Sequence, residues 1–388
     1  MSNLESQPIQ RVCTSGGEPD TQRATEKLTA ERHTTEGQTT KGRTTSTSDT
    51  YADVEIITHR EVPLGGPRAM PVRRTLPQKK RSLIGAWCFA DHYGPSDVSS
   101  TGGMDVAPHP HTGLQTVSWL FEGKIEHIDS GDNRGMVLPG EVNLMTSGAG
   151  ICHSETSPSD VTTLHGVQLW VALPNSVRST APRALDHYAP TPCPLEGGSA
   201  LVFIGSLAGA TSPIETHTPL LGAELTVDPH STITLDVDPD FEHGLLVDEG
   251  NIVLENTPIP VSAIGYTGIG ATRLRIRNES DSPARLVLLG GEPFPEDIVM
   301  WWNFVGRSSE EITEFRDQWQ ARTERFGDVK DYVGHGGPGK NADGLSWLPA
   351  PKLPNGVIKP RTNPEPHARA NLPEPGERTE TVTTKESR

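Results

Sequence analysis

The sequence predicts an all-β protein of two barrels in tandem, with one short helix late in the chain and a disordered tail at each end. Three observations carry that expectation. Short runs rich in β-branched and aromatic residues recur from residue 51 to about 290, each bounded by Gly or Pro, the signature of a sandwich or barrel. The run of strands is interrupted once, over 174–198, where Pro is frequent. A single stretch, after Ser308, has helical periodicity.

Residues 1–50 contain twelve Thr and no aromatic residue. Such a segment cannot bury enough surface to offset its ordering entropy, so it is expected to be a disordered tail. Residues 336–388 hold nine Pro among many charges, and 328–388 is read as mostly disordered. Between the tails lie a first domain at 51–175, a linker at 176–199 and a second domain at 200–327.

In the first domain 51–59 alternates apolar and polar residues and suits a strand. Residues 73–80 lack apolar periodicity and should form a loop. Residues 83–90 read as a buried strand, stopped at 91–95. Residues 113–121 and 124–129 form a hairpin, and 142–146, 151–156 and 164–173 complete the set. A second run from 201 to 289 repeats the pattern at similar size. Ser308-Ser309-Glu310-Glu311 is a capping box, and Ile312, Phe315 and Trp319 then fall on one helical face.

The net charge is −16 over 388 residues, which argues against a broad phosphate-contacting face and hence against direct nucleic-acid binding. The basic clusters Arg73-Arg74 and Lys79-Lys80-Arg81 are read as a solvated loop. No apolar run approaches the length of a membrane span, and the N-terminal residues lack an apolar signal core. The four cysteines show no paired spacing, so a reducing cytoplasm is the simplest compartment.

One stretch concentrates the chemistry. It opens with Pro108-His109-Pro110-His111-Thr112-Gly113 and closes with Gly150-Ile151-Cys152-His153-Ser154-Glu155. On a strand, residues i and i+2 share a face about 7 Å apart. His109 and His111 therefore project together, as do His153 and Glu155. If the two strands are neighbours in a barrel, three imidazoles and a carboxylate converge and suit a divalent first-row metal, with two octahedral positions left open. Parity also puts Gln115 on the face of His111, as a hydrogen-bond partner behind the ligands. It sends Cys152 to the opposite face, as a packing residue. His165 is a further candidate for steering a ligand or substrate. His92 and His127 are assigned to local turns, and Trp119 to the barrel core ahead of a pocket wall. Gly334-His335-Gly336-Gly337-Pro338-Gly339-Lys340-Asn341 misses a phosphate loop for want of Ser or Thr at 341.

Several of these stretches resemble the pirin family of bicupins. They are Phe89-Ala90-Asp91-His92-Tyr93-Gly94-Pro95, the two histidine motifs, and His165-Gly166-Val167-Gln168-Leu169-Trp170-Val171. Gly291-Glu292-Pro293-Phe294-Pro295-Glu296, ending in Met300-Trp301-Trp302-Asn303-Phe304-Val305-Gly306-Arg307, resembles that family as well. The resemblance spans about 52–325. It implies two packed cupin (jelly-roll) barrels, metal in the first alone, and the ligand role for His109, His111, His153 and Glu155. Fe(II) is the metal it implies, and Mn, Ni, Cu or Zn would suit the same donors. The second barrel offers His217, His230 and His243 singly. Two departures stand out: Gln115 where the broader cupin pattern often has Glu, and Thr112 where some pirins carry Arg.

The resemblance implies two readings of function. One is an enzyme of the quercetin 2,3-dioxygenase type, opening a small aromatic, flavonol-like substrate with O2, with Glu155 as the catalytic base. The other is a non-catalytic, iron-dependent, redox-sensing regulator that acts through a protein partner. In both the chain is expected to be a cytoplasmic monomer without nucleic-acid or membrane contacts.

Overall fold

The computed structural model describes residues 11–13, 54–64 and 70–366. Its two runs of strands make two barrels of one plan, each a seven-stranded sheet facing a four-stranded sheet, all antiparallel. In the first barrel the small sheet runs Asp105–His111, Ile151–Thr156, Ile125–Asp129, Arg134–Val137. The equivalent sheet of the second runs Thr232–Asp236, Arg273–Asn278, Ile252–Leu254, Thr257–Ile259. The expected tandem barrels are thus present. The helix Ser309–Gln320 also starts as its capping box demands, with Ser308 accepting from the Glu311 N–H and Ile312, Phe315 and Trp319 buried.

The barrels meet back to back through their large sheets. Val117, Trp119, Val167 and Leu169 of the first pack with Phe203, Leu246, Val287 and Leu289 of the second in one buried apolar cluster. Each such side chain contributes roughly 1.5–3 kcal/mol on burial. Trp119 is part of this seam, stacked on Phe203 at 4.6 Å with its indole N–H on Glu224 at 2.6 Å.

The chain exchanges segments between barrels, which changes the expected boundaries. Glu55–Ile57, read as the start of the first domain, pairs with Ile264–Tyr266 of the second barrel. The expected linker is built of strands: Ala184–Tyr188 pairs with Val142–Thr146 of the first barrel, and Cys193–Leu195 pairs with Gly198–Ala200 of the second. The hairpin Val299–Trp301/Phe304–Gly306 and the helix, expected with the second domain, pack on the first. Their Trp301, Phe304, Phe315 and Trp319 share a cluster with Val106 and Cys152.

Residues 328–366 also depart from the expected tail. Tyr332, Leu348, Ala350 and Ile358 are buried in that same cluster. Their few apolar side chains, spaced between prolines, suffice because a ready-made apolar face receives them. Of the N-terminal tail expected over 1–50, only Arg11–Cys13 lies within the described residues, paired with Val357–Lys359.

The stretch 73–80 is not a solvated loop throughout. Met70–Leu76 is a strand, and Arg74 is fully buried with a bidentate pair to Asp91 at 2.6 and 2.8 Å. Arg81 is buried over the Tyr266 ring at 3.6 Å. Neither charge shows apolar periodicity, and the acids and rings that satisfy them come from other strands.

Candidate metal centre

The strands Asp105–His111 and Ile151–Thr156 are direct neighbours with His153 opposite His109. Beyond that pair Ala107 and Pro108 face Ser154 alone before Val106 comes opposite Glu155. The resulting bulge re-aims the strand that carries the first two histidines. The adjacent turn is equally constrained. Gly113 has φ +67°, and a Cβ there would lie 2.4 Å from the Val305 carbonyl oxygen. Only glycine lets the turn tuck under the hairpin. Thr112, where some pirins carry Arg, is buried beneath that hairpin.

His109, His111 and His153 are each 0 % exposed, and their nitrogen donors all lie within 4.8 Å of one another. His109 Nδ1–H donates to the Ala107 carbonyl at 3.0 Å. Its Nε2 is buried with no hydrogen-bond partner among the described residues. His111 Nε2 and His153 Nε2 are 3.0 Å apart. Burial holds all three imidazoles well below the ordinary histidine range. They are neutral at neutral pH, with lone pairs available.

The donor set fits a first-row divalent metal. Two nitrogens each about 2.1 Å from one ion at a right angle lie about 3.0 Å apart. Bare imidazole nitrogens that close repel unless a cation lies between them.

The other expected site residues fall in different places. Glu155 is buried on the His153 strand, and its charge, after burial, helps push the Tyr93 phenol well up. Its carboxylate does not join the three-histidine group within 4.8 Å. Gln115 is buried, but its amide N–H goes to Thr146 Oγ1 at 2.9 Å and its Oε1 has no hydrogen-bond partner among the described residues. It does not support a ligand imidazole. Cys152 packs on the far face, as parity requires.

His165 is not at this centre. With His92 it reaches across the barrel seam to Asp248, each Nε2 at 2.7 Å from Oδ1. These three donors also lie within 4.8 Å of one another. They are not an equivalent site, because Arg285 Nε sits 2.6 Å from Asp248 Oδ2 and an Arg73 nitrogen lies 3.2 Å from His92 Nε2. The Arg285 guanidinium satisfies the carboxylate, and it and the Arg73 guanidinium beside His92 oppose a further cation.

The sequence reading missed His127. Its Nε2 lies 3.1 Å from Asp129 Oδ2 and its Nδ1 lies 3.2 Å from His153 Nδ1. Both residues sit on Ile125–Asp129, the other neighbour of the His153 strand. The signal was present as a third i, i+2 pair, His127-x-Asp129, facing the same interior.

Comparison with known proteins agrees with this architecture. The Pirin family model matches residues 69–171 and the Pirin C-terminal cupin domain matches 222–327. A Pseudomonas aeruginosa protein named "Putative quercetin 2,3-dioxygenase" is 41 % identical over 292 residues, 75 % of this chain and 90 % of the relative. The chain belongs to the pirin family. A pirin-like protein of Caulobacter vibrioides is 31 % identical, covering 66 % of this chain and 91 % of its own length. Among solved structures, a quercetin 2,3-dioxygenase from Acinetobacter baumannii superposes with TM-score 0.72 at 34 % identity, over 79 % of this chain and 97 % of that one.

The two barrels of this pirin differ where the metal strands lie. The pair at the same place in the second barrel, Thr232–Asp236 with Arg273–Asn278, sets Leu235 opposite Leu274 and Ile233 opposite Ile276. All four are buried. Aliphatic side chains fill there what imidazoles line in the first barrel.

Proposed function

We propose that this pirin binds iron through His109, His111 and His153, with Glu155 of the His153 strand closing on the ion as fourth ligand, and opens flavonols with dioxygen, an activity of the quercetin 2,3-dioxygenase type. The observation that carries the metal is the convergence of three buried, neutral imidazoles. The substrate class is supported by the relatives named for quercetin. Iron, when bound, supplies a Lewis acid for the flavonol 3-oxyanion and a redox partner for dioxygen. Glu155, buried on the His153 strand, takes the 3-hydroxyl proton in this reading. Trp170 stands edge-on to His111 at 5.2 Å. Its indole N–H, without a partner among the described residues, can donate to a substrate oxygen.

A second reading is favoured by a specific observation. The three imidazoles are 0 % exposed. The strand bearing two of them is covered by the 299–306 hairpin and by Leu348, whose N–H bonds the Pro108 carbonyl at 2.9 Å. A flavonol can reach the metal only if the structure around these imidazoles opens. In a regulator no opening is needed, and the iron redox state acts on a protein partner through the cover.

Anaerobic purification, metal analysis and oxygen uptake with a flavonol panel decide between them, with His111→Ala as the comparison. The enzyme reading expects about one iron per chain and flavonol-dependent uptake, both lost in His111→Ala. Iron without uptake leaves the regulator, and a wild-type chain without stoichiometric metal removes both.

A further inference from the structure

The geometry points to Asp129 and His127 as positioning residues that set the tautomer of His153 and so hold its Nε2 lone pair free for the metal. The inference rests on the metal reading above and adds a control to it. Asp129 Oδ1 is already engaged by the Gly131 N–H at 2.7 Å and by Asn133 through its main-chain and side-chain N–H at 3.2 and 3.1 Å. The carboxylate is therefore fixed in the turn after the strand, with Oδ2 aimed at His127. An ionised carboxylate only accepts. As a neutral imidazole His127 then carries its one proton on Nε2, which leaves Nδ1 bare. The bare Nδ1, 3.2 Å from His153 Nδ1, can only accept, so His153 carries its proton on Nδ1. What remains is a bare His153 Nε2, 3.0 Å from His111 Nε2 and inside the three-histidine group.

His109 reaches the same state by a shorter route, through the Ala107 carbonyl. A main-chain carbonyl is fixed by the fold. The acceptor for His153 is itself a titratable ring, and its acceptor character is imposed by Asp129. Every member of the chain is buried, at 2 % exposure for Asp129 and 4 % for His127. Water therefore does not compete for these bonds, and a wrong tautomer has no cheap escape.

Asp129→Asn tests this without removing the turn. The asparagine oxygen can still accept from Gly131 and Asn133, but an NH2 then faces His127 Nε2. His127 must accept there and carry its proton on Nδ1. His153 Nδ1 becomes the acceptor and its proton moves to Nε2, where it blocks the metal. The expected result is a nickel(II) affinity lowered roughly tenfold to a hundredfold relative to wild type. Titration of the chelator-stripped full chain with nickel(II) alone measures it. Long-range proton–nitrogen correlation on 15N-histidine protein should show His153 protonated on Nδ1 in wild type and on Nε2 in Asp129→Asn, a change that a merely structural role would not produce. His127→Phe, which keeps the packing and removes the acceptor, is expected to lose less affinity than Asp129→Asn. Glu126→Gln, on the other strand face, should bind as wild type. Wild-type affinity in both Asp129→Asn and His127→Phe overturns the proposal, as does a His153 protonated on Nε2 in wild type. Failure of the wild-type chain to take up nickel overturns the metal reading instead, and the nitrogen spectra still decide the tautomer chain.

Discussion

His153 has two ring nitrogens, and the fold assigns them opposite tasks. Nδ1 faces His127 and Nε2 faces His111, so the value of this histidine depends on residues 26 and 24 positions earlier. Cys152, one residue away, shows what the other strand face is for. Burial pushes its thiol up to about 12, as it does that of Cys88. A thiol that stays protonated and unexposed is a packing residue. Iodoacetamide at pH 8 should therefore leave Cys88 and Cys152 unlabelled in the native chain and modify both after unfolding, read by peptide mapping. Labelling of native Cys152 would mean that its thiol is accessible and does more than pack.

At the scale of elements, the metal strands are held from both sides. Inside the barrel they face the large sheet. Outside they are covered by the 299–306 hairpin, the helix and the segment beyond it. Trp319 donates to the Leu348 carbonyl at 2.8 Å. Asp105, at the start of the first ligand strand, accepts from Tyr332, His335 and Ala342. Burying a Leu or Ile side chain is worth roughly 1.5–3 kcal/mol, and 328–366 contributes Leu348 and Ile358 besides Tyr332. A chain ending at Gly327 should melt about 5 °C lower or more and bind a hydrophobic dye through the uncovered face. An unchanged Tm would mean that this segment is draped on the barrel without stabilising it.

For the whole molecule, the polar counterpart of the apolar seam is Asp248 with His92, His165 and Arg285. Burial alone would raise the Asp248 carboxyl, but hydrogen bonds from His165, His92 and Arg285 hold it well below the usual carboxylate range. Burial likewise holds His92 below the ordinary histidine value. In both cases the unfolded chain takes up protons first, so stability falls as pH falls. The loss begins near about 6.5 for His92 and below about 4 for Asp248. Asp248→Asn leaves two imidazoles without an anion and Arg285 with Glu249 alone, at a cost of about 3 kcal/mol at neutral pH. Its Tm should therefore be lower than that of wild type at pH 7, with a smaller further loss below pH 4. Parallel pH curves for the two proteins would mean that the pair does not couple the barrels.

The sequence by itself determined the all-β class, the two barrels, the capped helix and the three histidines. All of these follow from local rules: strand alternation, turn residues, a capping box, and the two-residue period that puts His109 with His111 and Cys152 opposite His153. Only the tertiary structure decided what depends on partners distant in the chain. It put Glu55–Ile57 on the second barrel and the helix on the first, because sheet edges and apolar faces are completed by whichever segment reaches them. It buried Arg74 on Asp91, sent His165 to Asp248, and made His127 the neighbour of His153. Strand parity states which face a side chain takes, whereas its partner depends on strand order, which the sequence pattern leaves open.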